Sequence, residues 1–203
     1  AAEFVNGYNQ ATPQHLEQGK AFARKALELD ADEAWAHQAL AMNHLWEKDY
    51  AAAESAARRA TDLAPNFAGG FISLGQVLDF TGRHEAAIES LEQALRLDPG
   101  FDLILHLIGR AQLGLGRYAE AEQSFKRRLI RNPRSDMTRA YLASIYGATG
   151  RVAEARRVWA ELLEINPKFS IERLRRVLPY KDPAWFASVT DGLRRAGLAP
   201  GAG

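Results

Sequence analysis

The stretch AGGFISLGQVLDFTGRHEAAIESLEQALRLDPGF, residues 68–101, is one period of a sequence that repeats itself every 34 residues. Pro65, Pro99, Pro133 and Pro167 keep this interval, as do Ala53, Ala87, Ala121 and Ala155. The pairs Leu40-Ala41, Leu74-Gly75, Ile108-Gly109 and Leu142-Ala143 set a small residue where two helices would approach closely. Ala57, Leu91, Phe125 and Trp159 form another column, and Gly82, Gly116 and Gly150 fall in a turn, with Lys48 as the exception. Within a period, apolar residues at spacings of three and four describe two amphipathic helices. Gly marks the end of the first and Pro stops the second. In residues 68–101 this predicts one helix over Phe71–Phe80 and another over Glu85–Leu97. A lone pair of this kind cannot bury its apolar stripe, whereas stacked pairs can.

These columns resemble the tetratricopeptide repeat: an aromatic, Leu-Gly, Tyr, Ala with a bulky apolar residue four positions on, then a closing Pro. The resemblance covers residues 34–169 as four repeats, 34–67, 68–101, 102–135 and 136–169. It implies an all-α fold, an α-α superhelix (TPR solenoid) whose concave face is made mostly of first helices. Residues 1–33 read as a partial, degenerate leading repeat. Its second helix spans residues 13–30, with Ala23, Ala26, Leu27 and Leu29 at the expected offsets, Gly19 in place of alanine and Ala31 in place of proline. Its first helix would fall in residues 1–10, where Gly7 alone fits. Beyond Pro167 the period ends, and residues 170–203 read as capping helices and a tail. Asp182 caps a helix with Pro183 at its first position, Arg194-Arg195 suit its C-terminus, Gly197 ends it, and Ala199–Gly203 should fray. The tail runs Phe169-Ser170-Ile171-Glu172-Arg173-Leu174, Leu178-Pro179-Tyr180-Lys181-Asp182-Pro183 and Gly192-Leu193-Arg194-Arg195-Ala196-Gly197-Leu198. It resembles the C-terminus of bacterial class III adenylate or guanylate cyclase fusion proteins with tetratricopeptide repeats, and of repeat proteins fused to winged-helix regulators. That likeness implies a regulatory or dimerisation domain whose catalytic or DNA-binding part lies elsewhere.

Composition narrows the chemistry. The 203 residues are 47% hydrophobic and 25% charged, with no cysteine, which excludes disulfide scaffolds, thiolate zinc sites, iron–sulfur clusters and cysteine nucleophiles. No apolar stretch approaches the roughly 20 residues of a membrane helix. A start at Ala1-Ala2-Glu3-Phe4, with neither Met nor a signal pattern, is expected of an excised domain or processed chain. The expected location is the cytoplasm, or the periplasm if a leader or anchor was removed. The net charge of +1 divides into −7 over residues 1–100 and +8 over residues 101–203. Such a division supports head-to-tail or antiparallel self-association, or docking of the basic half on an acidic partner. Nucleic acid is not expected, because the basic half carries no reading motif and no interleaved aromatic platform.

Candidate catalytic groups fail on spacing. His37 and His44 stand two turns apart, about 10 Å, with no further ligands between them, and occupy packing columns. His84 shares the turn column of Tyr50 and Tyr118, and His15 is alone. Gly69-Gly70, Gly109, Gly114 and Gly116 are not followed by Gly-Lys-Ser or Gly-Lys-Thr, and Gly-x-Ser-x-Gly is absent. No nucleophile, base and orienter come together, so neither catalysis nor a metal or cofactor is expected.

The concave face is the expected site. It collects Trp35, Gln38, Met42 and Trp46, then Ile72, Gln76, Asp79 and Phe80, then Leu103, His106 and Arg110, then Tyr141. Leu45, Leu113, Met137 and Ser144 lie on the same projection. Trp35, Gln38, Met42 and Trp46 share a helical face separate from His37, Leu40, Ala41 and His44, so that helix is apolar on two sides. Either the leading helices pack over this stripe, or it forms an apolar groove for a peptide, helix or partner chain. The resemblance also tests a carboxylate clamp of the chaperone-binding type. Its columns hold Gln38, Met42, Ser73, Leu103 and Leu107, or one repeat later Ile72, Gln76, Leu107, Met137 and Tyr141. None is basic, so no such clamp is expected. The third repeat sets Arg128 and Arg131 where its neighbours have alanine and leucine. Either both snorkel to solvent or one pairs with a carboxylate; the second helix is expected to shift, turning Leu129 and Ile130 inward, the alternative being a local loosening between the third and fourth repeats.

Overall fold

The computed structural model describes residues 13–198, among which eleven α-helices and one 3-10 turn alternate with short loops and no strand occurs. The helices are α1 (Pro13–Leu29), α2 (Ala34–Trp46), α3 (Tyr50–Leu63), α4 (Ala68–Phe80), α5 (His84–Leu97), α6 (Leu103–Gly114), α7 (Tyr118–Arg131), α8 (Asp136–Ala148), α9 (Val152–Ile165), α10 (Ile171–Val177) and, after the 3-10 turn Pro183–Phe186, α11 (Ala187–Arg195). The expected helix over residues 1–10 and the fraying end lie outside the described residues. The chain forms two compact units. Among the described residues, one holds those up to Gly100 with Val177–Lys181, and the other holds Phe101–Arg176 with those from Asp182 to Leu198.

The repeat columns act through the backbone. The residue before each repeat proline ends a second helix: Ala64, Asp98, Asn132 and Asn166 share φ between −129° and −139° and ψ between 80° and 86°. The proline ring excludes the helical conformation from the residue before it, so the helix stops there. At the other turn Gly82, Gly116 and Gly150 take φ of 82°, 71° and 78°, and Lys48 adopts the same left-handed turn at 63° without being glycine.

Within each helix pair, the small residue of the first helix faces the bulky column of the second. A Cβ on Gly75 would lie 2.6 Å from Leu91 Cγ, and one on Gly109 would lie 2.6 Å from Phe125 Cε1. Ala41 and Ala57 are both fully buried in the pair α2–α3. In the pair α8–α9, where Ala143 keeps its Cβ, Trp159 stays half-buried and sets its ring edge-on to Phe169 at 5.9 Å.

In the first unit, α1 lies against α2. Lys20 reaches Glu47 at 2.6 Å and Glu17 at 2.7 Å, and a Cβ on Gly19 would lie 2.7 Å from Asn43 Oδ1. Glycine in place of the repeat alanine leaves room for the Asn43 amide. An ion pair between consecutive helix pairs recurs in both units at the same offset: Glu54 on α3 takes Arg83 ahead of α5, and Glu122 on α7 takes Arg151 ahead of α9.

The second unit corrects the expectation for the third repeat. Helix α7 keeps its register: Ile130 is 81% exposed, and Arg128 turns inward, 3% exposed, with Nη1 3.3 Å from Asp102 Oδ2. A carboxylate at hand and the low cost of an exposed isoleucine beside a paired guanidinium decide against the shift. The cap forms as Asp182 accepts the Ala184 amide at 2.8 Å and α11 closes on Gly197 at φ 69°. Helix α11 lies on α8, with Gly147 and Gly192 at the crossing and the Ser144 hydroxyl donating to Val189 O at 2.8 Å.

Candidate partner-binding face

Helix α2 begins at Glu33, whose carboxylate accepts the Trp35 amide, and this sets the phase of its two apolar sides. Ala36, Ala41 and Leu45 go inside, and Ala41 does so opposite Ala57 of α3. On the other side Trp35 is 57% exposed, Gln38 and Trp46 are half-buried, and Met42 is buried. Helix α4 packs beside α2 through the same column: Gln76 Nε2 donates to Met42 Sδ at 3.7 Å. Thus α1 reaches α2 by way of Asn43 and Glu47, while Trp35 remains more than half exposed.

On α4 the expected face is mostly inside. Ile72 is buried, and Gln76, Asp79 and Phe80 are each at most 1% exposed. Asp79 faces His84, its Oδ1 2.8 Å from Nδ1, so it ties α4 to the start of α5. The Phe80 ring meets Tyr180 edge-on with centroids 4.9 Å apart, and Lys181 N–H donates to Phe80 O at 2.9 Å. Residues 177–181 therefore pack on the end of α4. Sequence reading placed Leu178-Pro179-Tyr180 in the cap and did not connect it to this face. The signal was four apolar residues in a row, Val177 to Tyr180, between Arg175-Arg176 and Lys181-Asp182.

In the second unit the expected face residues lie in a buried polar and aromatic cluster. Leu103, His106, Arg110 and Tyr141 are all buried. His106 Nδ1 is 3.0 Å from Thr138 Oγ1, and its ring stands edge-on to Tyr141 at 5.2 Å and beside Phe125 at 5.6 Å. Tyr141 in turn meets Phe186 at 6.4 Å. Burial pushes the His106 imidazole well below its ordinary pKa, with the Arg128 and Arg110 charges adding to the shift. It is neutral at pH 7. Thr138 and Phe186, which the repeat columns did not point to, are the groups that hold this cluster in place.

Chemically, the two units offer apolar and aromatic contact surface, a few directed hydrogen bonds and guanidinium–carboxylate pairs. Among the described residues no three His, Cys, Asp or Glu side chains gather as metal ligands, and no helix is long and apolar enough to cross a membrane.

Two family models, both described as tetratricopeptide repeat, match residues 39–102 and 81–140. Neither reaches the tail, whose likeness to cyclase fusions has no counterpart in these matches. No curated protein sequence matches the chain. Solved structures share the fold. PilF of Pseudomonas aeruginosa is 26% identical with a TM-score of 0.70, the match covering 95% of this chain and 88% of that one. PilW, a type IV pilus biogenesis factor, is 19% identical with a TM-score of 0.72, covering 97% and 86%. YrrB, a TPR protein with an unusual peptide-binding site, is 18% identical with a TM-score of 0.61, covering 86% and 90%. With the proline stops, the left-handed turns and the small-to-bulky contacts all keeping one period, and with both family models falling on that period, the chain belongs to the tetratricopeptide-repeat family.

Proposed function

We propose that this chain is a protein-interaction module that takes an extended peptide segment of a partner protein on the apolar stripe of α2, continued on α4. One observation carries the reading: Trp35, 57% exposed, stands on the same side of α2 as buried Met42 and half-buried Trp46. Tryptophan is enriched among residues that dominate binding energy, and it is rarely left in water beside other apolar groups without a partner. Trp35, Gln38 and Trp46 are the groups an incoming chain touches, with Met42, Ile72 and Gln76 beneath. Leu103, His106, Arg110 and Tyr141, being buried, support their own unit from within, and Asp79 and Phe80 are engaged inside the first. The fold shared with a peptide-binding repeat protein is consistent with this assignment. The reading gives the chain contact rather than catalysis.

The test is selection from a displayed random-peptide library, followed by affinity measurement for the enriched peptides. Trp35→Ala and Trp46→Ala should each weaken binding by about 10-fold or more, the scale of one interface anchor, with an unchanged helical circular dichroism signal. Enriched peptides that bind both variants as tightly as the wild type would place the site elsewhere.

A further inference from the structure

The turn after α4 is closed by its own donors. Thr81 N–H donates to Val77 O and Leu78 O, Gly82 N–H to Asp79 O and Arg83 N–H to Leu78 O. The Phe80 carbonyl, last of the helix, receives the Lys181 amide at 2.9 Å. The donor arrives on a segment shaped for the purpose. Tyr180 N–H donates to Leu178 O at 2.9 Å, closing a three-residue turn around Pro179. Proline limits the conformations the segment loses on docking. Leu178, Pro179 and Tyr180 are buried in succession, while Arg175, Arg176 and Lys181 through Ala184 are exposed. A backbone acceptor beside an aromatic wall recognises any segment offering a ring and, one residue later, an N–H.

We propose that the Phe80 end of α4 is a recognition site for an apolar-Pro-aromatic segment of a partner protein, and that residues 178–181 are the intramolecular occupant such a partner displaces. This rests on the interaction reading above and names the partner's chemistry. The residue after the aromatic must not be proline, because its N–H makes the bond to Phe80 O. A tethered occupant competes at a high effective concentration, so the site binds in trans with an affinity reduced by the fraction of chains in which the tail is out.

The test uses the full chain and a fluorescein-labelled peptide of residues 176–183, Arg-Val-Leu-Pro-Tyr-Lys-Asp-Pro, followed by anisotropy. Tyr180→Ala should bind this peptide at least about 10-fold more tightly than the wild type, and Tyr180→Phe should behave as the wild type does. The same peptide with alanine for its tyrosine should not bind Tyr180→Ala. In the wild-type protein, excess peptide should speed hydrogen exchange at the Lys181 amide while α4 and α5 stay protected. Equal affinity for wild type and Tyr180→Ala, or undiminished binding of the alanine peptide, overturns the proposal. Should Tyr180→Ala fail to fold, the exchange measurement decides alone, and an unchanged Lys181 rate overturns it. If the displayed library enriches Trp35-dependent peptides while this peptide does not bind, the tail assignment falls and the interaction reading stands.

Discussion

Phe80 and Tyr180 meet edge-on with ring centroids 4.9 Å apart, and the amide of the next residue, Lys181, bonds the Phe80 carbonyl. Such a pair contributes about 0.5–1.5 kcal/mol beyond the area it buries. In a double-mutant cycle of Phe80→Leu and Tyr180→Leu, read by urea unfolding, the two changes should couple by that amount. Additivity within about 0.3 kcal/mol would show that the rings do not stabilise each other.

Acid should act through two equivalent carboxylates. Glu54 sits between Arg83 at 2.6 Å and Arg58 at 2.8 Å, and Glu122 between Arg151 and Lys126. The Arg83 guanidinium beside Glu54 and the Arg151 guanidinium beside Glu122 hold each carboxyl down at about 2, against an ordinary 4.5. The folded state then keeps both ionised where the unfolded chain takes up protons. Their stabilising effect is present above the ordinary carboxylate pKa and drains away as pH falls toward 2. Glu54→Gln with Glu122→Gln should cost about 1–2 kcal/mol at pH 7, and the gap to wild type should close on acidification. A gap independent of pH would show that these pairs do not set the acid limit.

His106 adds a window nearer neutrality. Burial first, then the Arg128 and Arg110 charges, keep its imidazole unprotonated in the folded state. The unfolded chain binds a proton near the ordinary histidine pKa of about 6.5. Stability from this group is therefore full above that pH and lost as pH falls below it, by up to about 1.4 kcal/mol per unit. His106→Gln should flatten the decline of stability between pH 6.5 and pH 5 relative to wild type, in a series of urea titrations. Parallel curves for the two proteins would mean that His106 takes up its proton without unfolding.

The repeat was legible because its markers are local. Proline forbids a helical neighbour wherever it stands, a left-handed turn selects glycine, and a small residue opposite a bulky one is written in two columns of the sequence. The candidate face was legible only as a direction along each helix. Trp46 and Phe80 occupy the same position in the period, yet one is half-buried and the other is closed against Tyr180. Which of them a partner can reach depends on contacts the period does not encode. Tyr180 is the sharper case, since nothing near it in sequence says that it lies against Phe80. Arg128 misled for a different reason. An arginine in an alanine column suggested a shifted helix, because the carboxylate that receives it, Asp102, lies before α6 and outside the pattern of α7.

Lys48 carries the one departure from the turn glycines. Its φ of 63° is a conformation that costs a residue with a Cβ about 1–2 kcal/mol. Its side chain is exposed and its backbone N–H already bonds Leu45 O at 3.0 Å, so glycine keeps the turn intact. Lys48→Gly should raise stability by about 0.5–1 kcal/mol once the greater freedom of glycine in the unfolded chain is subtracted. Thermal melting at pH 7 measures this, and a lower melting temperature would mean that the lysine side chain contributes more than its strain costs.

The crossing of α8 and α11 rests on two glycines that no repeat column required. A Cβ on Gly147 would lie 1.9 Å from Gly192 O, and one on Gly192 would lie 2.2 Å from Ser144 O. Both obstacles are backbone of a packed neighbour, so the added carbon is accommodated only by moving one helix away from the other. That movement also breaks the bond from the Ser144 hydroxyl to Val189 O. Gly69 provides the contrast within the first unit. A Cβ there would lie 2.4 Å from Phe67 Cζ, the far end of a ring that can rotate away. Alanine at this helical position also gains about 1 kcal/mol of helix propensity over glycine. Gly147→Ala and Gly192→Ala should each lower stability by about 2–3 kcal/mol, the scale of an overpacked contact, while Gly69→Ala should stay within about 0.5 kcal/mol of wild type. Urea midpoints at a constant denaturant slope give the comparison. Equal losses at Gly147 and Gly69 would show that α11 is not held against α8 by close backbone approach.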